Sequence, residues 1–319
     1  MLFRSVIDML EKVKNALTSC PCDGAIYLVH KLSDCSGFFM SQKHLVYMAY
    51  NNEGAEHQNL ATEFLRLNTN IEITAIENNQ QFESGKYNVI EILPVDGVYD
   101  DASLDSFINL CVAHTQFMDA SGFVKFFYSL VNLFQFPRER RFVNLVGLFG
   151  ELSFLKYVSQ VMNKDFSDRW HKTGSTDKYD IALDSCNLEI KTTMSVEELV
   201  TIKHSQLFNM DRNFLVAVLV EESNGGKTLN QLIAEMQSHT KHFKSFNFAL
   251  NIEKEKKRIS PIDAQVKRFA FKGVKIYDAH VINPFGELPE NVSDVTYKLN
   301  LLGAPAIDLK SLEKEFENV

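Results

Sequence analysis

The sequence predicts an α/β chain: a mixed central sheet flanked by helices, preceded by a β-rich N-terminal domain. Three observations predict it. Short apolar or alternating runs, parted by Asp-Gly, Asn-Asn and Ser-Gly turns, fill residues 20–100, the pattern of small strands. Helical periodicity follows, broken by Pro137 and resumed over residues 139–162. Beyond it lie a hairpin, two further strands and a capped helix, an order that builds a sheet covered by helices. At 319 residues the chain has room for two cores, expected over 1–100 and 101–319.

The elements follow in order. Val6, Ile7, Leu10, Val13 and Leu17 have the spacing of an amphipathic helix, and Asp8, Glu11, Lys12 and Lys14 interrupt it too often for a signal peptide. Ala25–Lys31, Gly37–Met40, Leu45–Tyr50, Glu63–Leu67, Ile71–Ile76 and Tyr87–Leu93 read as strands. Asp100-Asp101-Ala102-Ser103 caps a helical segment that runs to about Phe136. Its most apolar part, Phe123–Phe136, is too short to span a membrane and contains Lys125, so a buried helix and a cytoplasmic protein are expected. The phenylalanines of this segment, Phe107, Phe117, Phe123, Phe126, Phe127 and Phe134, either fill the junction between the domains or form a homodimer interface.

The helix over 139–162 carries Phe142, Leu145, Leu148, Phe149, Leu152 and Leu155 on a broad apolar surface, with Glu151 inside it. A carboxylate there is costly to bury without a cation or donors, and a basic neighbour is the plain alternative. Gly147 and Gly150 would let the helix approach a sheet closely despite their propensity cost. Glu198–His204 reads as a strand, Phe214–Val220 as a buried central strand, and Thr228 to about His242 as a helix opened by a Thr228/Gln231 capping box.

The chemistry concentrates in Tyr179-Asp180-Ile181-Ala182-Leu183, a polar turn, and Leu188-Glu189-Ile190-Lys191-Thr192-Thr193. Alternation sends Ile181, Leu183, Leu188 and Ile190 to a core and Asp180, Ala182, Glu189 and Lys191 to the other face. If Asp184–Asn187 is a four-residue turn, Ala182 opposes Glu189, Asp180 opposes Lys191, and the two carboxylates are diagonal neighbours about 7 Å apart at Cβ. Two carboxylates so placed can share one hard cation, with the small Ala182 leaving it room. A third carboxylate, Glu151, would repel them when no cation is present, so its removal is expected to stabilise the metal-free protein. The plain alternative is an exposed hairpin with a surface ion pair worth about 0–1 kcal/mol.

Asp, eight residues, then Glu-x-Lys resembles the PD-(D/E)xK nuclease superfamily, with Tyr179-Asp180 where that pattern has Pro-Asp. Phe149-Gly150-Glu151-Leu152 is similar to the helix before the hairpin, which often carries a further acidic residue. The combination of Gly-Glu-Leu, Trp170, Lys178-Tyr179-Asp180, Leu188–Thr193, the stretch His204-Ser205-Gln206, Val274–Tyr277, Asn283-Pro284-Phe285 and Val295–Leu301 resembles a bacterial family labelled only "PD-(D/E)xK motif protein", over about residues 20–302. The resemblance implies a restriction-endonuclease-like core over 101–319 and a DNA endonuclease, with members usually beside restriction-modification or other anti-phage genes. It implies that Asp180, Glu189 and the Ile190 backbone carbonyl hold Mg2+, with Mn2+ as substitute, that Lys191 orients the attacking water, and that Glu151 serves a second metal. His204 and Gln206 are candidates for phosphate or water contacts, or a solvated strand end. DNA is the expected partner, with a second copy or defence-system proteins as further ones. A non-cleaving DNA-binding or assembly subunit with the same fold is the alternative.

Bulk numbers bound the rest. The chain is 45% hydrophobic and 23% charged, ordinary for a globular protein, and its net charge of −8 argues against a generic DNA coat. Basic clusters at Arg138, Arg140 and Arg141, at Lys241, His242 and Lys244, and at Lys254, Lys256, Lys257, Arg258, Lys267 and Arg268 are the sources available for phosphate attraction, or solvated faces. Five cysteines give no disulfide framework, and Cys20, Cys22, His30 and Cys35 are too irregularly spaced for a zinc site. Gly225-Gly226-Lys227-Thr228 lacks the earlier glycine of a P-loop, since Glu221 stands there, and no nucleotide is expected.

Overall fold

The computed structural model describes residues 2–316 except 22, 75, 77–81, 96, 120, 136–144, 172–178, 196–197, 208–211, 284, 286 and 293. The expected cluster Arg138, Arg140 and Arg141, the helix start over 139–144, Phe142, Lys178 and Pro284 lie outside the described residues. The chain forms two compact units, Met1–Arg138 and Glu139–Val319. The sequence sets its boundary at 100; the units part at 138 because the two following helices close the β-rich core.

The first unit begins with α1 (Leu2–Ser19) and holds β1 (Ile26–Lys31), β2 (Ser36–Ser41), β3 (His44–Tyr50), β4 (Asn59–Ala61), β5 (Leu65–Ile73) and β6 (Gly85–Ile92), then α2 (Asp101–Met118) and α3 (Phe123–Gln135). Its strands form one sheet in the order β1-β2-β3-β6-β5-β4, every pair antiparallel. The two expected strands near 63–76 are one strand, β5, with a register shift between Asn68 and Ile71. Asp100 caps α2 by accepting from Ser103 N. The single helical segment expected from 101 is two, because Asp119 and Gly122 take left-handed φ of 47° and 63° and turn the chain. Phe107, Phe123, Phe126 and Phe127 are buried within this unit, with Phe123 stacked on Tyr47 of β3. They are core side chains, not an exposed interface.

The second unit carries α4 (Leu145–Val161), β7 (Ile181–Ala182), β8 (Asn187–Thr193), β9 (Leu199–Lys203), α5 (His204–Leu207), β10 (Asn213–Thr228), α6 (Leu229–Gln237), α7 (Phe246–Lys256), α8 (Pro261–Val266), β11 (Arg268–Asp278), α9 (Ala279–Ile282) and β12 (Thr296–Asn300), closing on a 3-10 helix (Leu309–Phe316). The central sheet runs β11-β10-β8-β7, with β8 and β10 parallel and the other pairs antiparallel. β9 and β12 make a separate two-stranded ribbon. One face of the sheet, with Ile181, Leu183, Leu188 and Ile190, packs against Leu148, Leu152 and Leu155 of α4. On the other face Leu215 and Ala217 of β10 pack with Val200 and Ile202 of β9 and Leu301. Thr228 and Gln231 form both halves of the expected capping box, and α6 ends at Gln237, short of His242.

Candidate active site

α4 reaches β8 through glycine. A Cβ on Gly150 would stand 1.9 Å from Thr192 Oγ1 and 2.8 Å from its Cβ, so no rotamer change makes room. Thr192 Oγ1–H donates to Gly147 O at 3.2 Å and fixes the contact. This close approach is what brings Glu151, one residue beyond Gly150, to the edge of the hairpin.

The hairpin is tighter than expected. Leu183 N donates to Cys186 O, Ala182 pairs with Asn187 and Ile181 with Leu188. The register therefore differs by two residues from the four-residue-turn reading, and continuing it sets Asp180 opposite Glu189 instead of Lys191. β7 begins only at Ile181, and the side chain of the preceding Asp180 takes over the ladder position: its Oδ2 accepts from Ile190 N at 2.7 Å. The N–H and C=O of one strand residue point to the same side, so the Ile190 carbonyl opens on the edge where Asp180 sits.

Glu189 and Lys191 share the sheet face of Leu215 and Ala217, their partners in register. Glu189 is 3% exposed. Its Oε1 accepts from Lys191 Nζ and, at 2.6 Å, from Gln206 Nε2. Its Oε2 is buried with no hydrogen-bond partner. Burial, then Asp180, push the Glu189 carboxyl up to about 8, against the pull of Lys191. The Lys191 ammonium, opposed by burial, is held above its ordinary range by Glu189 first and then by Asp180 and Glu151. Gln206 thus joins the site, its Oε1 anchored by Lys203 N at 3.0 Å. His204 is buried, 6.3 Å in ring centroid from Tyr297, and its backbone N donates to Val295 O.

Sequence reasoning missed His171. Its Nε2 lies 3.2 Å from Glu151 Oε2 and 3.5 Å from Asp180 Oδ1, and its Nδ1 lies 3.8 Å from Glu255 Oε1. Burial disfavours the imidazolium, but Asp180 and Glu151 overcome it and raise His171 to about 10. Burial, then Asp180, raise Glu151 from its ordinary range. Trp170, fully buried, donates its indole N–H to Glu151 Oε2 at 3.0 Å and stacks on His171. The segment is pinned by a backbone bond from His171 N to Asp180 O and by Asn251 Nδ2, which donates to Trp170 O at 2.8 Å. The expectation that Glu151 only repels its neighbours is therefore corrected: His171 and Trp170 give it partners. Only the tryptophan of this pair stood out in the sequence, as part of a family pattern; a histidine in a loop has no periodicity to expose it.

Three members of the basic clusters pair with carboxylates, while Lys244 and Arg268 donate to neutral oxygens of Gln237 and Gly226. Lys256 pairs with Glu253 at 2.9 Å, Arg258 with Glu255 at 2.8 Å, and Lys267 with Asp263 at 3.4 Å. His242 is buried and stacked on His239, not part of a surface patch. No helix among the described residues is long and apolar enough to cross a membrane.

The family described as "Putative PD-(D/E)XK family member, (DUF4420)" matches residues 41–302. The chain belongs to this family. Membership puts the PD-(D/E)XK chain in a superfamily of nucleases that generally use a divalent metal, and its sheet with flanking helices is the restriction-endonuclease-like fold. No significant match was found among curated proteins or among solved structures.

The residues fit a hard divalent cation. Glu189 Oε2 is a buried carboxylate oxygen without a donor, and oxygen donors are what Mg2+ takes. Glu151, His171 and Asp180 bring a carboxylate oxygen or ring nitrogen each within 4.8 Å of the others, among the described residues the one such grouping of His, Cys, Asp and Glu side chains; the two carboxylates are the oxygen donors, and His171, held protonated by them, would have to lose its proton to serve as a ligand.

Proposed function

We propose that this PD-(D/E)XK protein is a Mg2+-dependent endonuclease that hydrolyses phosphodiester bonds in DNA. The observation that carries the reading is the juxtaposition of a buried carboxylate oxygen lacking a donor, Glu189 Oε2, with the Lys191 ammonium on Oε1 of the same carboxylate. Asp180, Glu189 and the Ile190 carbonyl would hold the ion, with Glu151 as a further acidic group and Mn2+ as a substitute. When bound, the cation would supply Lewis-acid polarisation of a phosphoryl oxygen and charge compensation.

The chain's own residues have defined parts. Gln206 fixes the Glu189 carboxylate by its 2.6 Å hydrogen bond. Lys191, held charged by its carboxylate neighbours, orients a water against the phosphorus and offsets the negative charge that develops on the transferring group. His171 balances Glu151 and Asp180 so that both stay at the site. The described residues contain one such hairpin, so cutting both strands of a duplex needs two copies or two successive nicks. We extend this proposal to a role in restriction or anti-phage defence, which rests on the sequence resemblance to proteins usually found beside such genes, and to a cytoplasmic location, which rests on the sequence pattern of the chain's apolar segments.

The second reading is a DNA-binding or assembly subunit that does not cleave. His171 favours it, because an imidazolium between Glu151 and Asp180 offsets part of their charge without a metal. Incubation of plasmid and phage DNA with the full chain, with Mg2+, with Mn2+ and with EDTA, separates the two. The nuclease reading expects products that need divalent metal; DNA binding without cleavage under every metal condition supports the subunit.

A further inference from the structure

The second unit contains a cavity of about 310 Å3 whose walls come from α4, α6 and the far ends of β10 and β11. That is the lower end of the size range of small-molecule sites. It is not the site described above. Lys156 and Tyr157, which line it, are five and six residues beyond Glu151 on α4, and at 100° per residue they lie on the opposite face of that helix.

Its chemistry is two-sided. One part is aromatic: Tyr157 and Phe271 lie 5.6 Å apart at an interplanar angle of 41°, and Phe271 is 37% exposed at the rim. The other part is cationic. Lys156 and Lys227 line the cavity and both bind one carboxylate, Glu235. Two ammoniums against one carboxylate leave one net positive charge, and the Glu235 side chain, 42% exposed, can give up its place to a stronger anion. The wall between them is backbone. Glu222 and Lys227 both pair with Phe269, so residues 223–226 leave the ladder, and Gly226 packs so closely on Phe269 that a Cβ would sit 2.4 Å from its carbonyl carbon. At Gly225 a Cβ would meet nothing within 4 Å.

We infer that this cavity binds a nucleotide, its base against Tyr157 and Phe271 and its phosphate on Lys156 and Lys227 in place of Glu235. Ring faces and a paired ammonium site at one cavity are what a base with its phosphate needs, since stacking tolerates any base and lysine recognises phosphate as a point charge. The Gly225-Gly226-Lys227 stretch that fails as a P-loop in sequence thus has a different use: its glycines thin the wall and its lysine faces the opening. The nucleotide is either free or part of a DNA strand. The inference does not depend on the nuclease reading, because the cavity is on the other side of α4.

The test is calorimetric titration of the full chain in EDTA with deoxyadenosine 5′-monophosphate, adenosine, inorganic phosphate and a twelve-residue oligodeoxyadenylate. The monophosphate is expected to bind more tightly than adenosine or phosphate alone. Lys227→Ala should weaken it about tenfold, the effect of one charge-assisted contact, Gly225→Trp should block it, and Glu235→Gln should tighten it. Binding of the oligonucleotide but not the monophosphate, with the same response to the variants, supports the site and assigns its ligand to a DNA strand. Equal binding of phosphate and monophosphate would overturn the inference, as would absence of binding or affinities indifferent to Glu235→Gln, a change that gains affinity and so does not depend on a damaged fold. A chain that cleaves DNA yet binds no nucleotide here defeats this inference alone; one that binds here yet cleaves nothing defeats the nuclease reading alone.

Discussion

His114 in the first unit is fully buried and His171 in the second half-buried, and they end in different charge states. His114 is enclosed by Tyr47, Phe123 and Phe126; its Nε2–H donates to Ser121 O at 2.8 Å, and its Nδ1 faces the Tyr47 hydroxyl at 2.9 Å. Neutral partners satisfy a neutral ring, and burial takes it from 6.5 down to about 4. His171 also meets a burial penalty but faces Asp180 and Glu151, which carry it to about 10. Burial alone does not set the charge of a group; its partners do. The first unit pairs its buried histidine with neutral partners. The second holds a carboxylate oxygen with no donor, Glu189 Oε2, on a carboxylate that binds the Lys191 ammonium, and a buried polar atom of that kind in a perturbed cluster marks a candidate binding site.

The largest break in this contrast comes from the hairpin. Asp180→Asn or Lys191→Ala is expected to reduce DNA cleavage by at least about 10²–10³-fold, the range for losing one transition-state contact. The melting temperature of the metal-free protein should fall modestly, because Asp180→Asn removes a counter-ion of His171 and Lys191→Ala leaves the buried Glu189 without its cation. Gel assays of product formation beside thermal melts check both; full activity in either variant removes the site assignment.

The pH dependence of stability sharpens the contrast next. His114 has a folded value below its ordinary 6.5, so its contribution is present above 6.5 and is lost as pH falls toward about 4, on the order of 3 kcal/mol in all. His171 has a folded value raised to about 10, so its contribution is present below 6.5 and is lost as pH rises toward 10. Chemical denaturation of His114→Phe and His171→Gln against wild type should show the acid-side loss abolished only in the first and the alkaline-side loss reduced only in the second.

A smaller change is expected of Glu151→Gln. Its amide oxygen can still accept from Trp170 while the charge beside His171 is gone, leaving Asp180 as the nearer counter-ion. The His171 value should fall by about one unit, equivalent to about 1 kcal/mol, read from imidazole NMR shifts over pH. An unchanged value would mean that Asp180 alone sustains the cation.

What the sequence made legible follows from the reach of its signals. The alternation of Ile181, Leu183, Leu188 and Ile190 is local and strongly apolar, and all four are in the core. The Thr228/Gln231 cap is equally local and formed as expected. The register was not legible, because Asp184-Ser185-Cys186-Asn187 is polar throughout and does not reveal that Cys186, 3% exposed, already pairs with Leu183. The spacing of Gly147 and Gly150 suggested a close approach to a sheet, but only the fold names Thr192 as what Gly150 meets. His171 was invisible, since tertiary contacts to α4, α7 and the start of the hairpin bring it to the carboxylates and no periodic pattern marks it. The break between α2 and α3 was missed because the apolar character continues across a turn made by backbone conformation at Asp119 and Gly122.

Titration calorimetry of Mg2+ into the metal-free protein near neutral pH tests most directly whether Asp180, Glu189 and their neighbours hold a divalent cation. Burial, then Asp180, hold Glu189 up to about 8, so binding to its carboxylate must displace a proton. The expected result is saturable binding, lost in Asp180→Asn, whose heat differs between two buffers of different ionisation enthalpy in the sense of proton release. Absence of Mg2+ and Mn2+ binding, or binding unchanged by Asp180→Asn and Glu189→Gln, would contradict it.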